Sequence, residues 1–234
     1  MTKVAVSWSG GKDSCLALYK ALGKGLEVSH LLNFVVKGEG CMPHGAPELI
    51  AAQSEAMGIP LVQREVTWET YEEGFKEAAR DLRRRGVDGI VFGDIDVPEH
   101  LDWVVRVCNE VGALYMEPLW RLDREQILRE FVCAGFEAIV VNAGADVFGP
   151  DWLGRRVDEA FIRDLLELKA ARSFDLCGEL GEYHTLVVDG PIFKRRIKVH
   201  AYRKALKEDR LKRRRWFLDV TDFSLEEKMA EGSA

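Results

Sequence analysis

Ser9-Gly10-Gly11-Lys12-Asp13-Ser14 decides the fold of this 234-residue chain, because of what stands on either side of it. Before it runs Lys3–Trp8 (KVAVSW), a short apolar stretch that reads as a buried strand. After it, Cys15, Leu18 and Leu22 recur at three- and four-residue spacing, which predicts a helix from about Ser14 to Leu22. A strand, a glycine turn and a helix in that order make an anion site. The glycines let several N–H groups converge, and the helix N-terminus adds partial positive charge. Ser9 and Ser14 add hydroxyls and Lys12 a full charge. Asp13 would repel a phosphate, so it reads as a helix N-terminal residue or as a partner for Mg²⁺ between phosphates.

Two common phosphate loops are excluded by position. A Walker A loop would need Gly at Val6 and Ser or Thr at Asp13, and the dinucleotide fingerprint would need Gly at Lys12.

Working outward, strands and helices alternate. Strands are predicted at Val28–Val36, Pro60–Val66, Gly89–Ile95 and Ala113–Glu117, and helices at Pro47–Met57, Tyr71–Arg85 and Leu101–Val111. Between Val36 and Pro47 lies a loop rich in glycine and proline that carries His44. This alternation implies a doubly wound parallel five-stranded sheet with right-handed crossovers, complete by about residue 118. The remainder predicts helices at Arg124–Cys133 and Val157–Leu168, a strand at Ala138–Asn142 and β-rich sequence from His184. It reads as a smaller α+β domain over 119–234, joined near Pro118-Leu119-Trp120.

The bulk composition, 47% hydrophobic and 31% charged, is that of an ordinary globular protein, and the length supplies a core without metal or disulfide staples. The five cysteines are scattered with no C-x-x-C pair, which argues against a disulfide framework or a zinc site and for a reducing, cytoplasmic setting. No basic-then-apolar leader opens the chain, and no apolar run is long enough to span a membrane. The net charge of −6 hides a basic block: Lys194 to Arg215 carries twelve Lys/Arg against Glu208 and Asp209. That block is either a solvated face or an attractor of nucleic acid or an acidic protein.

Two further stretches carry chemistry. Gly93-Asp94 ends a predicted strand, where parallel sheets bind ligands; Asp94 there is either a holder of Mg²⁺ or a substrate amine, or a strand-ending turn residue. In Asp175–Thr185 (DLCGELGEYHT), Glu179 and Glu182 flank Gly181. Carboxylates gathered by glycines bind a cation or supply a general base, or form an acidic surface loop.

The loop at 9–14 resembles the PP-loop of the N-type ATP pyrophosphatases, whose fold is that of the adenine nucleotide alpha hydrolases. With Met42-Pro43-His44-Gly45, Phe92–Ile95, Pro118–Trp120, Trp152–Arg155, Gly178–Thr185 and Asp189-Gly190-Pro191, the chain resembles the diphthine–ammonia ligase family in its short form, over roughly residues 3–193. That resemblance implies ATP and Mg²⁺ as cofactors, elongation factor 2 bearing diphthine as partner, and ammonium as nitrogen donor. It implies an acyl-adenylate route that releases AMP and pyrophosphate. Ser9, Gly10, Gly11, Lys12, Asp13, Ser14, Gly93 and Asp94 would bind ATP, with Asp13 and Asp94 on the metal. Lys12, Asp13, Glu179 and Glu182 would be catalytic. His44, Trp120, Glu179, Glu182, Tyr183, His184 and Thr185 would meet the substrate, the carboxylates and aromatic faces suiting diphthine's trimethylammonium. His184 is either a proton shuttle or a structural histidine. A homodimer is compatible with this reading. Two other readings are a transfer-RNA-modifying PP-loop enzyme and a nucleotide-binding protein without catalysis.

Overall fold

The computed structural model describes residues 1–37 and 46–228. The 38–45 loop, with His44, lies outside the described residues.

Five strands form a parallel sheet: β1 (Lys3–Ser7), β2 (Glu27–Val36), β3 (Leu61–Val66), β4 (Gly89–Val91) and β5 (Leu114–Met116). Their order, β3-β2-β1-β4-β5, reverses direction between β1 and β4. That reversal opens a crevice at the strands' carboxyl ends. The connections are α1 (Lys12–Gly23), α2 (Pro47–Met57), α3 (Tyr71–Arg84) and α4 (Pro98–Val111). α3 shows why they form. Phe75, Ala78, Ala79 and Leu82 recur at helical spacing and are buried, while Glu73, Arg80 and Arg84 face water. α1 begins at Lys12, inside the glycine loop, so Asp13 stands in its first turn. Pro98 opens α4 three residues before the expected start, its missing N–H costing nothing there.

β4 is shorter than its apolar run. Phe92 still donates to the Met116 carbonyl at 2.9 Å, but the chain then leaves the ladder at Gly93. The departure swings Asp94 into the crevice region.

The second half builds an antiparallel sheet ordered β7-β6-β9-β8, from β6 (Glu137–Gly144), β7 (Tyr183–Asp189), β8 (Arg195–Glu208) and β9 (Arg214–Glu227). Helices α5 (Arg124–Cys133) and α6 (Glu159–Ala171) accompany it. β8 and β9 form a long hairpin. The two sheets share a core: one cluster holds Val4, Leu16 and Leu49 together with Leu119, Phe131, Phe161, Val187 and Ile197. Val187 donates to the Gly10 carbonyl at 3.0 Å, so the antiparallel sheet docks directly on the glycine loop.

The basic block is laced with ion pairs. Arg195 meets Glu55, Arg196 meets Glu137, Lys198 meets Glu226, Lys207 meets Asp219 and Arg213 meets Asp209. Among the described residues, no helix is long and apolar enough to cross a membrane.

Candidate active site

The crevice between β1 and β4 is closed from above by the 175–185 segment. The resulting cavity, about 240 Å³, is bounded by Ser9, Lys12, Asp13 and Ser14, by Gly93 and Asp94, and by Gly178, Glu179, Tyr183, His184 and Thr185. Residues more than 170 positions apart therefore share one pocket.

The glycine loop is held on all sides. Ser9 and Ser14 hydroxyls lie 3.1 Å apart, and the Ser14 hydroxyl donates to the Gly11 carbonyl at 3.1 Å. The Lys12 N–H donates to Thr185 Oγ1 at 3.0 Å. Gln53 is fully buried beneath it. Its amide donates to the Gly10 carbonyl at 2.9 Å and to the Val187 carbonyl at 2.7 Å, while its oxygen accepts from Trp8 Nε1 at 2.9 Å. Gly93 passes so close that a Cβ there would stand 2.9 Å from Asp13 C and Ser14 N, which are backbone atoms unable to give way.

Lys12 lines the pocket but is only 3% exposed. Its ammonium donates to the Cys177 carbonyl and to Asp13 Oδ2 at 3.0 Å, and lies 4.9 Å from the centre of the Tyr183 ring. Burial alone would push it toward neutrality, but Asp13, with Tyr183 and Cys177, more than compensates and holds it charged. The lysine thus ties the loop to the overlying segment and lends its field from below. Tyr183 is 2% exposed, and its hydroxyl donates to the Leu176 carbonyl at 2.7 Å. The cation over its ring is the protein's own Lys12.

The overlying segment separates the two glutamates. Gly178 and Gly181 both adopt left-handed backbone, with φ of 74° and 86°, so the chain turns sharply twice. Glu179 enters the pocket, where its Oε1 accepts from the Ile95 N–H at 3.0 Å. Glu182 turns away; its Oε1 accepts from the Asp175 N–H at 2.8 Å and it does not line this pocket. Asp175 fixes the turn, accepting from Cys177 N at 2.8 Å, Glu179 N at 3.2 Å and Arg124 Nε at 2.7 Å. Arg124 reaches Asp96 as well, joining this segment to the strand end that carries Asp94. Trp120 sits half-buried in the turn after β5 and is not part of the pocket wall; His184 and Thr185 are.

Electrostatically the pocket is acidic. Burial, reinforced by Asp13 and Asp94, raises the Glu179 carboxyl to about 7 despite the Ile95 N–H. Glu117 follows β5, and both its oxygens are buried without a partner. Burial raises it to about 7 as well, helped by Asp94 and Glu179. His100 Nδ1 lies 2.9 Å from Asp94 Oδ1, and that bond raises the imidazole's pKa. One ligand atom each from Asp94, His100 and Glu179 gathers within 4.8 Å. Asp13 Oδ1 is buried with no partner, so the side chain has an oxygen to offer an incoming group. Carboxylate oxygens of this kind suit a hard cation such as Mg²⁺.

Sequence reasoning missed Gln53, His100, Glu117 and Arg124. Glu117 had a usable signal, since it ends a strand beside the switch point as Asp94 does; His100 follows Asp94 by six residues at the start of a helix, while Gln53 and Arg124 act through partners distant in sequence.

Fold and site together define a PP-loop enzyme, a nucleotide-using α/β protein with its phosphate loop on the first crossover. Comparison with known proteins narrows that class. Residues 2–114 match the family described as "Diphthamide synthase N-terminal domain" and residues 123–219 the one described as "Diphthamide synthase C-terminal domain". A rat protein named diphthine–ammonia ligase is 30% identical over 224 residues, 84% of this chain and 82% of that protein. The zebrafish protein of that name is 28% identical over 94% of this chain and 95% of its own length. The chain belongs to the diphthine–ammonia ligase family and is an ATP-dependent, amide-forming ligase. Among solved structures, a Methanocaldococcus jannaschii protein described as a predicted subunit of tRNA methyltransferase aligns over 97% of this chain at 14% identity and a TM-score of 0.41, a likeness too distant to bear on function.

Proposed function

We propose that this enzyme amidates diphthine on elongation factor 2, using ATP and ammonium and releasing AMP and pyrophosphate. The substrate carboxylate attacks the α-phosphorus, the bond from that phosphorus to the bridging β-oxygen breaks, and pyrophosphate departs. Ammonia then attacks the acyl carbon, the acyl–phosphate oxygen bond breaks, and AMP leaves.

The observation that carries this reading is the meeting, in one cavity, of the glycine loop with Asp13, Asp94 and Glu179. The loop N–H groups and the α1 N-terminus hold the departing phosphates, where preorganised donors act without reorganising during the reaction. Lys12 stabilises them from beneath. Asp13 and Asp94 would hold Mg²⁺, which when bound neutralises phosphate charge so that a carboxylate can approach. Glu179 is the glutamate of its pair that faces the cavity, and we assign it the cation, either the incoming ammonium or diphthine's quaternary nitrogen. A group with a carboxyl raised to about 7 is suited to take a proton from ammonium near neutrality. Glu182 and Asp175 then serve the shape of the turn.

Incubation of diphthine-bearing elongation factor 2 with the enzyme, ATP and ¹⁵N-ammonium tests this. Mass spectrometry is expected to find one labelled amide on the modified histidine, while an acceptor that stays a carboxylate contradicts it.

A further inference from the structure

The 178–183 turn has a second side. There Leu180, Gly181 and Glu182 face Asp146 and the run Arg213–Arg215 across a groove of about 480 Å³. Arg215 is 5% exposed, and its Nε donates to Asn142 Oδ1, a neutral partner, at 2.8 Å. Its Nη2 is buried with nothing to donate to. Asp146 and Glu182 line the same groove but stand beyond ion-pair distance. Glu182 Oε2 is likewise buried and has no donor. One wall therefore lacks an acceptor and the opposite wall lacks a donor, a costly arrangement when both groups are charged.

A single anion would satisfy only the arginine. A peptide offers both requirements at once, through a carbonyl and an N–H. The groove is also roomier than one small ion needs. Leu180 stands 69% exposed at its rim, and Arg214 is exposed with no ion-pair partner among the described residues. We propose that this groove binds an extended acidic segment of the protein acceptor, its main chain bridging Arg215 and Glu182 and its acidic side chain meeting Arg214. The proposal rests on the reading that the acceptor is a protein. It explains why Glu179 and Glu182 share one turn: the same loop grips the acceptor on one face and the reacting group on the other.

The test uses a fluorescein-labelled acidic peptide of Glu and Asp residues and its Gln/Asn counterpart, with fluorescence anisotropy as readout. The acidic peptide is expected to bind the wild-type enzyme about tenfold more tightly than the neutral one. Arg214→Glu, at an exposed position, is expected to erase that preference while ATP binding changes less than about twofold. Equal binding of both peptides, an Arg214→Glu variant that keeps the preference, or complete competition by inorganic phosphate at matched concentration overturns the proposal. An enzyme that binds the acidic peptide but forms no amide on diphthine-bearing elongation factor 2 with ATP and ammonium would sink the proposed reaction and leave this groove assignment intact.

Discussion

The two segments that border the pocket combine local and remote bonds in different ways. The 9–14 loop lies between a strand and the helix it launches, so its turn is legible from neighbours in sequence, although Thr185, Gln53 and Val187 brace it from afar. The Ser9 and Ser14 hydroxyls meet each other, Ser14 donates to the Gly11 carbonyl and Ser9 accepts from the Gly11 N–H. The 175–185 segment also frames itself locally, Asp175 accepting from Cys177 N and Glu179 N and donating its own N–H to Glu182 Oε1, but remote partners seat it. Asp175 is itself held by Arg124, fifty-one residues away, and Glu179 is aimed by the Ile95 N–H, eighty-four residues away. The first segment can be read for chemistry as a motif. The second supplies similar residue types; the nearby Asp175 N–H holds Glu182 outside the pocket while the distant Ile95 N–H holds Glu179 within it.

Gly93→Ala should cause the largest effect, because it strikes the place where the local loop depends on a remote strand. The added methyl meets the Asp13 and Ser14 backbone and must displace the helix N-terminus. A misplacement of that order costs roughly a hundredfold in kcat/KM for ATP, against a stability loss of about 1–3 kcal/mol. Steady-state kinetics beside urea unfolding checks both; turnover within threefold of wild type would mean that the close approach is unimportant.

Next comes a contrast within the second segment. Glu179→Gln keeps an oxygen for Ile95 but removes the charge, and we expect the KM for ammonium to rise about tenfold or more. Glu182→Gln keeps an oxygen for Asp175, and its KM for ammonium should stay within about twofold. Equal effects would erase the distinction between the inward and outward glutamates.

The smallest expected effect is on stability against pH. Burial raises Glu179 from 4.5 to about 7, so the folded protein holds a proton there that the unfolded chain releases. This group's contribution is present at pH below 4.5 and is lost as pH rises toward 7. In magnesium-free buffer, Glu179→Gln should flatten the decline of the urea midpoint between pH 5 and 8, values of about the span in which the group titrates. An unchanged slope would show that the side chain is not held in a desolvated place.

Much of the architecture was legible because it is written in periodicity. Apolar strand runs, the stripe on α3 and the glycine turn each report on residues within a few positions, and the five-stranded sheet follows from their alternation. The candidate site was legible to the extent that it is local: Ser9, Lys12, Asp13 and Ser14 and the strand end at Asp94 line the pocket. What periodicity cannot encode is partnership across the fold. Gln53 is one polar residue within a helical stretch of sequence, yet it is the buried link joining Trp8, Gly10 and Val187. Tyr183 read as an aromatic face for a foreign cation, whereas the shared core buries it and Lys12 covers it. The basic block reads as a solvated face or as an attractor of nucleic acid or an acidic protein, and periodicity gave no sign that a hairpin register brings acids from β9 opposite several of its cations.

The most direct measurement follows the nucleotide. With magnesium, ammonium and the protein acceptor present, chromatography of the spent ATP should find AMP and pyrophosphate in equal amounts, matched to the amide formed. ADP and orthophosphate as the products would contradict the account at its root, since the loop would then release the terminal phosphate alone.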